Sequence, residues 1–454
     1  MATLTVIVTA YNDPEGLKYT LEGLCEQTSE DFDVIIVDNG STDETSEIIS
    51  SYCKEYVGFE SMRIEHRLTP GARNEGVKKA RGELVWFVDC ADYLAPESVE
   101  KLLEAAENKK ADIYIPRYYN AGENEPYYDN WVDQLAIAPE IDSLDRALLN
   151  TLDFDGRVLR KKFFDLYSLY FPETPVYYNA AVMAKCLFGC AAKVSGVPGA
   201  IYSHRKGVFN SGFAEGAAPS RELLDLAVSV YEEILDDVKV LVKAETGSLD
   251  GDEFALQETL AIFFGVLAND FYRYFWYIDD DCLKILREKF EELSSQMTSD
   301  RKSKVNAEFS DLRFPGMYVS QADAANTPMF SLIAEFPAAD VLTDDFLHSL
   351  YTQRFPFFEL FIKKSVADSP AFPENARLMP NLHILPDEGF FAQARKQAKG
   401  CVINVKDDAP VDPRVLSELS LSKAPRAVLQ YMFAAKRKKY SAKTYLKQKG
   451  VAMK

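Results

Sequence analysis

A chain of 454 residues with 47% hydrophobic and 27% charged residues is longer than one hydrophobic core supports, so two or three domains are expected. A formal net charge of -19 argues against a protein that coats nucleic acid. Seven scattered cysteines without paired Cys-x-x-Cys motifs, beside only four histidines, argue against a zinc site and for reduced thiols in a cytoplasm.

From Met1 the chain runs straight into a strand pattern at Leu4 to Val8, with no basic and apolar leader, so no signal peptide is expected. A helix near Glu15 to Glu26 follows, then a strand at Val34 to Val37, a helix near Thr42 to Tyr56 and a strand at Arg63 to Glu65. A helix near Ala72 to Ala80 and a strand at Leu84 to Val88 complete the series. Alternation of this kind, with strands apolar on both faces, predicts a parallel sheet covered by helices. Ligands of such sheets bind beyond the strand C-termini, and the polar segments do follow the strands: Thr9-Ala10-Tyr11-Asn12, Asp38-Asn39-Gly40-Ser41 and Asp89-Cys90-Ala91-Asp92.

Ser220 to Glu308 reads as helical, with Leu223, Leu226, Ala227, Val230 and Ile234, then Leu283, Ile285, Leu286 and Phe290, at helix spacing. Structural packing accounts for such a stripe. The most apolar stretch, Leu260 to Ile278, is interrupted by Asn269, Asp270 and Arg273, which fits a buried helix better than a membrane span.

Placing Leu4 on Phe330 aligns the start of the chain with its last third. Leu21, Leu24, Gln27 and Phe32 then meet Leu347, Leu350, Gln353 and Phe358, and Val34-Ile35-Ile36 meets Leu360-Phe361-Ile362. After a shorter middle Gly82 meets Gly400, and after another one-residue slip Pro96 sits against Pro413. This predicts a second copy of the first half without its acidic loops, because Lys364-Ser365 stands where Asp38-Asn39 stands and Lys406 where Asp89 stands. Period-matched apolar runs also align by chance, and that alternative stays open. Beyond Lys423 the tail carries Arg426, Lys436, Arg437, Lys438, Lys439, Lys443, Lys447, Lys449 and Lys454 among tyrosines, without an acid. It suits an anionic membrane face, an acidic partner or the protein's own acidic surface. The resulting division is 1–212, 213–325 and 326–454.

Four strings together resemble the family 2 glycosyltransferases: Val8-Thr9-Ala10-Tyr11-Asn12, Val37 to Asp43, Gly71-Ala72-Arg73-Asn74-Glu75-Gly76 with Ala80-Arg81-Gly82-Glu83, and Phe87 to Leu94. The likeness covers residues 1 to 212. It implies a GT-A fold, a mostly parallel α/β sheet that binds a nucleotide-diphosphosugar. The implied reaction is inverting transfer of a sugar, of the hexosyltransferase type, from a UDP-sugar to a saccharide, glycolipid or protein acceptor. The nucleotide-sugar candidates are Thr9, Ala10, Tyr11, Asp38, Asn39, Arg73 and Asp89. Asp38 can accept from base or ribose or cap the following helix, and Arg73 can hold phosphate or form a structural ion pair.

Two positions depart from the family pattern. The family holds Mg2+ or Mn2+ with a carboxylate where this chain has Ala91, leaving a vacancy flanked by the metal candidates Asp89 and Asp92. The family's base aspartate is replaced by Asn179 in Tyr177-Tyr178-Asn179, and an amide takes up no proton at neutral pH. Glu173 in Phe171-Pro172-Glu173 and His204 in Ile201-Tyr202-Ser203-His204-Arg205 are the alternative bases. Two functions follow: an active transferase with a rearranged, metal-light site, or an impaired relative that binds a nucleotide, a glycan or a partner enzyme.

Overall fold

The computed structural model describes residues 3–108, 110–120, 156–190, 192–204, 219–246, 253–308, 320–334, 344–351, 355–370 and 375–405, together with Val132, Ala136, Phe372 and Leu416. Arg205, Gln353, Lys406, Pro413 and the basic tail beyond Lys423 lie outside the described residues. The chain forms two compact units, Met1–Glu215 with Leu226–Thr259, and Gly216–Asp225 with Leu260–Lys454. No described helix is long and apolar enough to cross a membrane.

In the first unit the elements run β1 (Leu4–Ala10), α1 (Pro14–Cys25), β2 (Phe32–Asp38), α2 (Thr45–Glu55), β3 (Phe59–Arg63), α3 (Thr69–Lys79), β4 (Leu84–Asp89), β5 (Tyr93–Leu94), α4 (Ser98–Asn108) and β6 (Ile113–Asn120). They continue with β7 (Val158–Arg160), α5 (Lys161–Leu166), α6 (Tyr178–Ala184) and β8 (Val194–His204). The sheet has eight strands in the order β3-β2-β1-β4-β7-β6-β8-β5. The β3-β2-β1-β4 part is parallel throughout, whereas β7 runs antiparallel to β4 and β6. Every residue of β1 and β4 is buried, as strands covered on both faces require.

Helix α1 starts where Asp13 accepts from the Gly16 amide at 2.8 Å and Pro14 supplies a preset φ. The third strand lies earlier than its apolar signal, at Phe59–Arg63 and not Arg63 to Glu65. It is an edge strand whose pattern is half exposed, and its register is set by pairing Phe59 with Val34. The residues after Arg63 are thereby released into the loop that meets β2.

Of the second unit, Asp280–Gln296 and Ser299–Glu308 are helical, as expected. The run after Leu260 is less regular: the helix Glu253–Val266 passes into a wide turn at Leu267–Phe271 that takes up Asn269 and Asp270, then a tight one at Tyr272–Tyr274. The unit also contains β9 (Phe330–Ala334), β10 (Phe358–Lys363), β11 (Leu382–Leu385) and β12 (Cys401–Val405), all parallel, in the order β11-β10-β9-β12. This order reproduces β3-β2-β1-β4. The register matches as well, since Leu4 opposes Phe32 and Phe330 opposes Phe358.

One tie recurs in both sheets. Gly82 donates its amide to Thr5 Oγ1 at 2.9 Å, and Gly400 donates its amide to Ser331 Oγ at 2.8 Å. Neither position has room for a side chain: a Cβ on Gly82 would lie 2.6 Å from the Thr5 amide nitrogen, and one on Gly400 2.6 Å from the Met329 carbonyl carbon. Gly400→Ala is therefore expected to destabilise the second unit by about 1–3 kcal/mol through overpacking against backbone. Hydrogen exchange at β9 and β12 reads this, and unchanged protection there would refute the tie.

Candidate functional site at the C-terminal edge of the first sheet

Asp38 ends β2 almost wholly buried, 4% exposed. Its Oδ1 accepts from the Ser41 amide at 2.9 Å, and Oδ2 accepts from Ser46 Oγ and Arg63 Nη1, each at 2.6 Å. Burial acts to raise its pKa, but the bonds from Ser46 and Ser41 and the charge of Arg63 outweigh it and hold the carboxyl below the ordinary aspartate value. Asp38 is thus an anion tied to the start of the α2 region. Asn39 closes the same edge: its Nδ2 donates to the Arg67 carbonyl at 2.7 Å and its Oδ1 accepts from the Arg67 amide at 3.0 Å. Tyr11, after β1, stands 45% exposed, while Ala10 is buried as the last residue of β1.

Arg73, on α3, forms the floor and is 1% exposed. Nη2 donates to Asp89 Oδ2 at 2.7 Å and Nη1 donates to Asn179 Oδ1 at 2.8 Å. The guanidinium also lies 5.8, 5.4 and 5.7 Å from the ring centres of Phe87, Phe171 and Tyr178. One side chain therefore joins the end of β4 to the start of α6. Asp89 takes a further bond from Thr9 Oγ1 at 3.4 Å. Of the two readings for Arg73, the ion pair is the one this geometry displays, and the oxygen of Asn179 points into it.

The residues Asp92 and His204 form a second cluster. Asp92 is 1% exposed and accepts from the Tyr202 hydroxyl, and His204 Nδ1 lies 3.0 and 3.1 Å from its two oxygens. Burial raises the pKa of Asp92, against the lowering effect of His204 and Tyr202. Tyr118 stacks on both rings, 5.7 Å from Tyr202 and 5.9 Å from His204. Glu173 stands apart from this cluster. It is half exposed and accepts from Arg67 Nη2 at 2.9 Å.

Position 91 differs from its sequence picture. Ala91 is 1% exposed with φ 75°, and its methyl abuts Gly16, close enough that a Cβ on Gly16 would come within 2.8 Å of it. The methyl is thus buried beside α1, and the left-handed backbone is one that Asp, Asn or Gly adopts more readily than Ala. The oxygens of Asp89 and Asp92 are engaged by Arg73, Thr9, Tyr202 and His204. Among the described residues no group of three or more His, Cys, Asp or Glu could hold a metal ion. The donor set does not fit a cation clamped between carboxylates.

Residues 5–166 match the family model described as glycosyl transferase family 2. This stretch of the chain is thus similar to the family 2 glycosyltransferases. Glycosyltransferase GlyG of Streptococcus pneumoniae serotype 4 is 30% identical over 145 residues, covering 30% of this chain and 47% of that protein. The poly(ribitol-phosphate) beta-glucosyltransferase of Bacillus spizizenii is 32% identical over 118 residues, 25% of this chain and 18% of that protein. The match thus spans less than half the length of either relative. Among solved structures, S. aureus TarS 1-349 is 18% identical with a TM-score of 0.49, covering 68% of this chain and 91% of that chain. The first sheet is mostly parallel and flanked by helices, the arrangement that the sequence resemblance led us to expect.

The first unit brings Thr9, Asp38, Asn39, Arg73, Asp89 and Asn179 to one edge. It also holds residues that the sequence strings did not single out: Ser46, Arg63, His66, Arg67 and Tyr118. A signal for Arg63 to Arg67 existed, because the rule that chemistry follows strand ends applies to β3 as well as to its neighbours.

Proposed function

We propose that the chain is an inverting glycosyltransferase that moves a sugar from a nucleotide-diphosphosugar, tested first as a UDP-sugar, to a saccharide, glycolipid or protein acceptor. The supporting observation is Arg73, buried beneath the edge and bonded at once to Asp89 on the donor side and Asn179 on the acceptor side. The nucleoside is placed at Tyr11 and Asp38. Proton uptake falls to His204 and not Asn179: a buried carboxylate that fixes one imidazole nitrogen leaves the ring oriented for base catalysis through the other, whereas an amide has no such capacity. Glu173, paired with Arg67, is the weaker base. Since the carboxylates do not fit Mg2+ or Mn2+, no step is assigned to a metal. Within this reading 1–212 carries transfer, 213–325 connects, and 326–454 adds a half lacking the acidic loops.

The decisive experiment is a panel of nucleotide-sugars scored for binding, hydrolysis and transfer, with and without Mn2+. Binding without turnover at any acceptor would favour the impaired scaffold. Asp38→Ala is expected to weaken UDP binding by roughly tenfold or more, the scale of a bond to a charged group. Calorimetry showing the same affinity in this variant would remove Asp38 from the site.

A further inference from the structure

His66 lies face to face with Tyr11, ring centroids 4.0 Å apart and planes inclined by 25°. Tyr11 follows β1 and His66 follows β3, and these strands flank β2. The ring pair therefore joins the loops on either side of β2, whose end carries Asp38 and Asn39. The imidazole is fixed in place. Its Nδ1 lies 3.1 Å from the Asn39 carbonyl oxygen, and because a carbonyl only accepts, Nδ1 carries the proton. Asn39 grips the next residue, Arg67, at both its amide and its carbonyl. Gly40, at φ 82°, sits so close that a Cβ there would come within 2.8 Å of the His66 amide nitrogen.

Both rings are exposed, although two aromatic faces gain most when covered. Nucleobases stack on aromatic side chains through either face, with little dependence on base identity. We propose that His66 is the fixed second wall of a nucleobase slot: the exposed Tyr11 ring moves away from it, the base enters between the two, and one ring-ring stack is exchanged for two base-ring stacks. The bond from Nδ1 to Asn39 anchors this wall to β2, so base and ribose are read from one strand end. This inference rests on the donor-site reading above and adds a residue to it.

The test uses the full chain and UDP as probe in calorimetric titrations of the natural protein, His66→Ala and His66→Phe, each checked for an unchanged melting temperature. Loss of one stacking face should weaken UDP binding roughly tenfold or more in His66→Ala. His66→Phe, which keeps a ring, should stay within about threefold of the natural chain. Steady-state kinetics should show KM for the nucleotide-sugar rising in His66→Ala while kcat stays near its natural value. Unchanged or tighter UDP binding in His66→Ala would overturn the slot, the tighter case marking His66 as a plug over Tyr11. Failure of the natural chain to bind UDP or any other nucleoside diphosphate would instead overturn the donor-site reading, and the slot with it.

Discussion

Replacing His204 by alanine is expected to lower sugar transfer by ~10² to 10⁴, the range typical of losing a general base. The expectation comes from the Asp92 carboxylate on Nδ1, with the Tyr202 hydroxyl bonded to the same acid. Asp92→Asn should reproduce much of the loss without touching the imidazole, because an amide can hold the wrong tautomer. The rate against pH is the sharper readout: an imidazole base gives a limb on the acid side that disappears in His204→Ala. Asn179→Ala should leave turnover near the natural value. If His204→Ala kept full activity while Asn179→Ala lost it, the base assignment would be reversed.

The largest effect on stability is expected at Arg73. Arg73→Ala removes the partner of Asp89, a carboxylate itself 7% exposed, and breaking such a pair from one side costs on the order of 3–5 kcal/mol. The packing of three rings around the guanidinium adds to the loss. Arg73→Lys should recover only part of it, since a single ammonium cannot reach Asp89 and Asn179 with the two arms of a fork. Urea denaturation of the first unit, with the removal of the Asp89 charge in a double variant as a control, measures both. A midpoint for Arg73→Ala close to the natural one would mean that water reaches Asp89 freely.

Much of the first sheet was legible because parallel strands buried on both faces write continuous apolar runs, and Leu4 to Val8, Val34 to Val37 and Leu84 to Val88 do so. β3 was misplaced by several residues for the opposite reason, an edge strand with Glu60 and Ser61 exposed. In the site, the residues that follow strands were found, but their pairings were not. Asn39, a nucleotide-sugar candidate in the sequence, also holds the Arg67 backbone, a contact across 28 residues of sequence that no local pattern encodes. Ala91 stands where the family pattern has a carboxylate, and its burial beside Gly16 at φ 75° is a feature that no local pattern encodes. The Arg73 bridge to Asn179 depends on a helix 106 residues away, and such distant geometry has no period to read.

The matching ties of Gly82 to Thr5 and Gly400 to Ser331 give the chain an internal reference. Two parallel half-sheets share strand order and the same glycine anchor, but one ends its second strand in Asp38 and the other runs into Lys364. In a single sample, every general effect of a nucleotide on the polypeptide, such as ionic strength, viscosity or weak stickiness, acts on both. A ligand-induced slowing of exchange at Val37 and Asp38 that is absent at Lys363 and Lys364 thus separates recognition from background without a second protein.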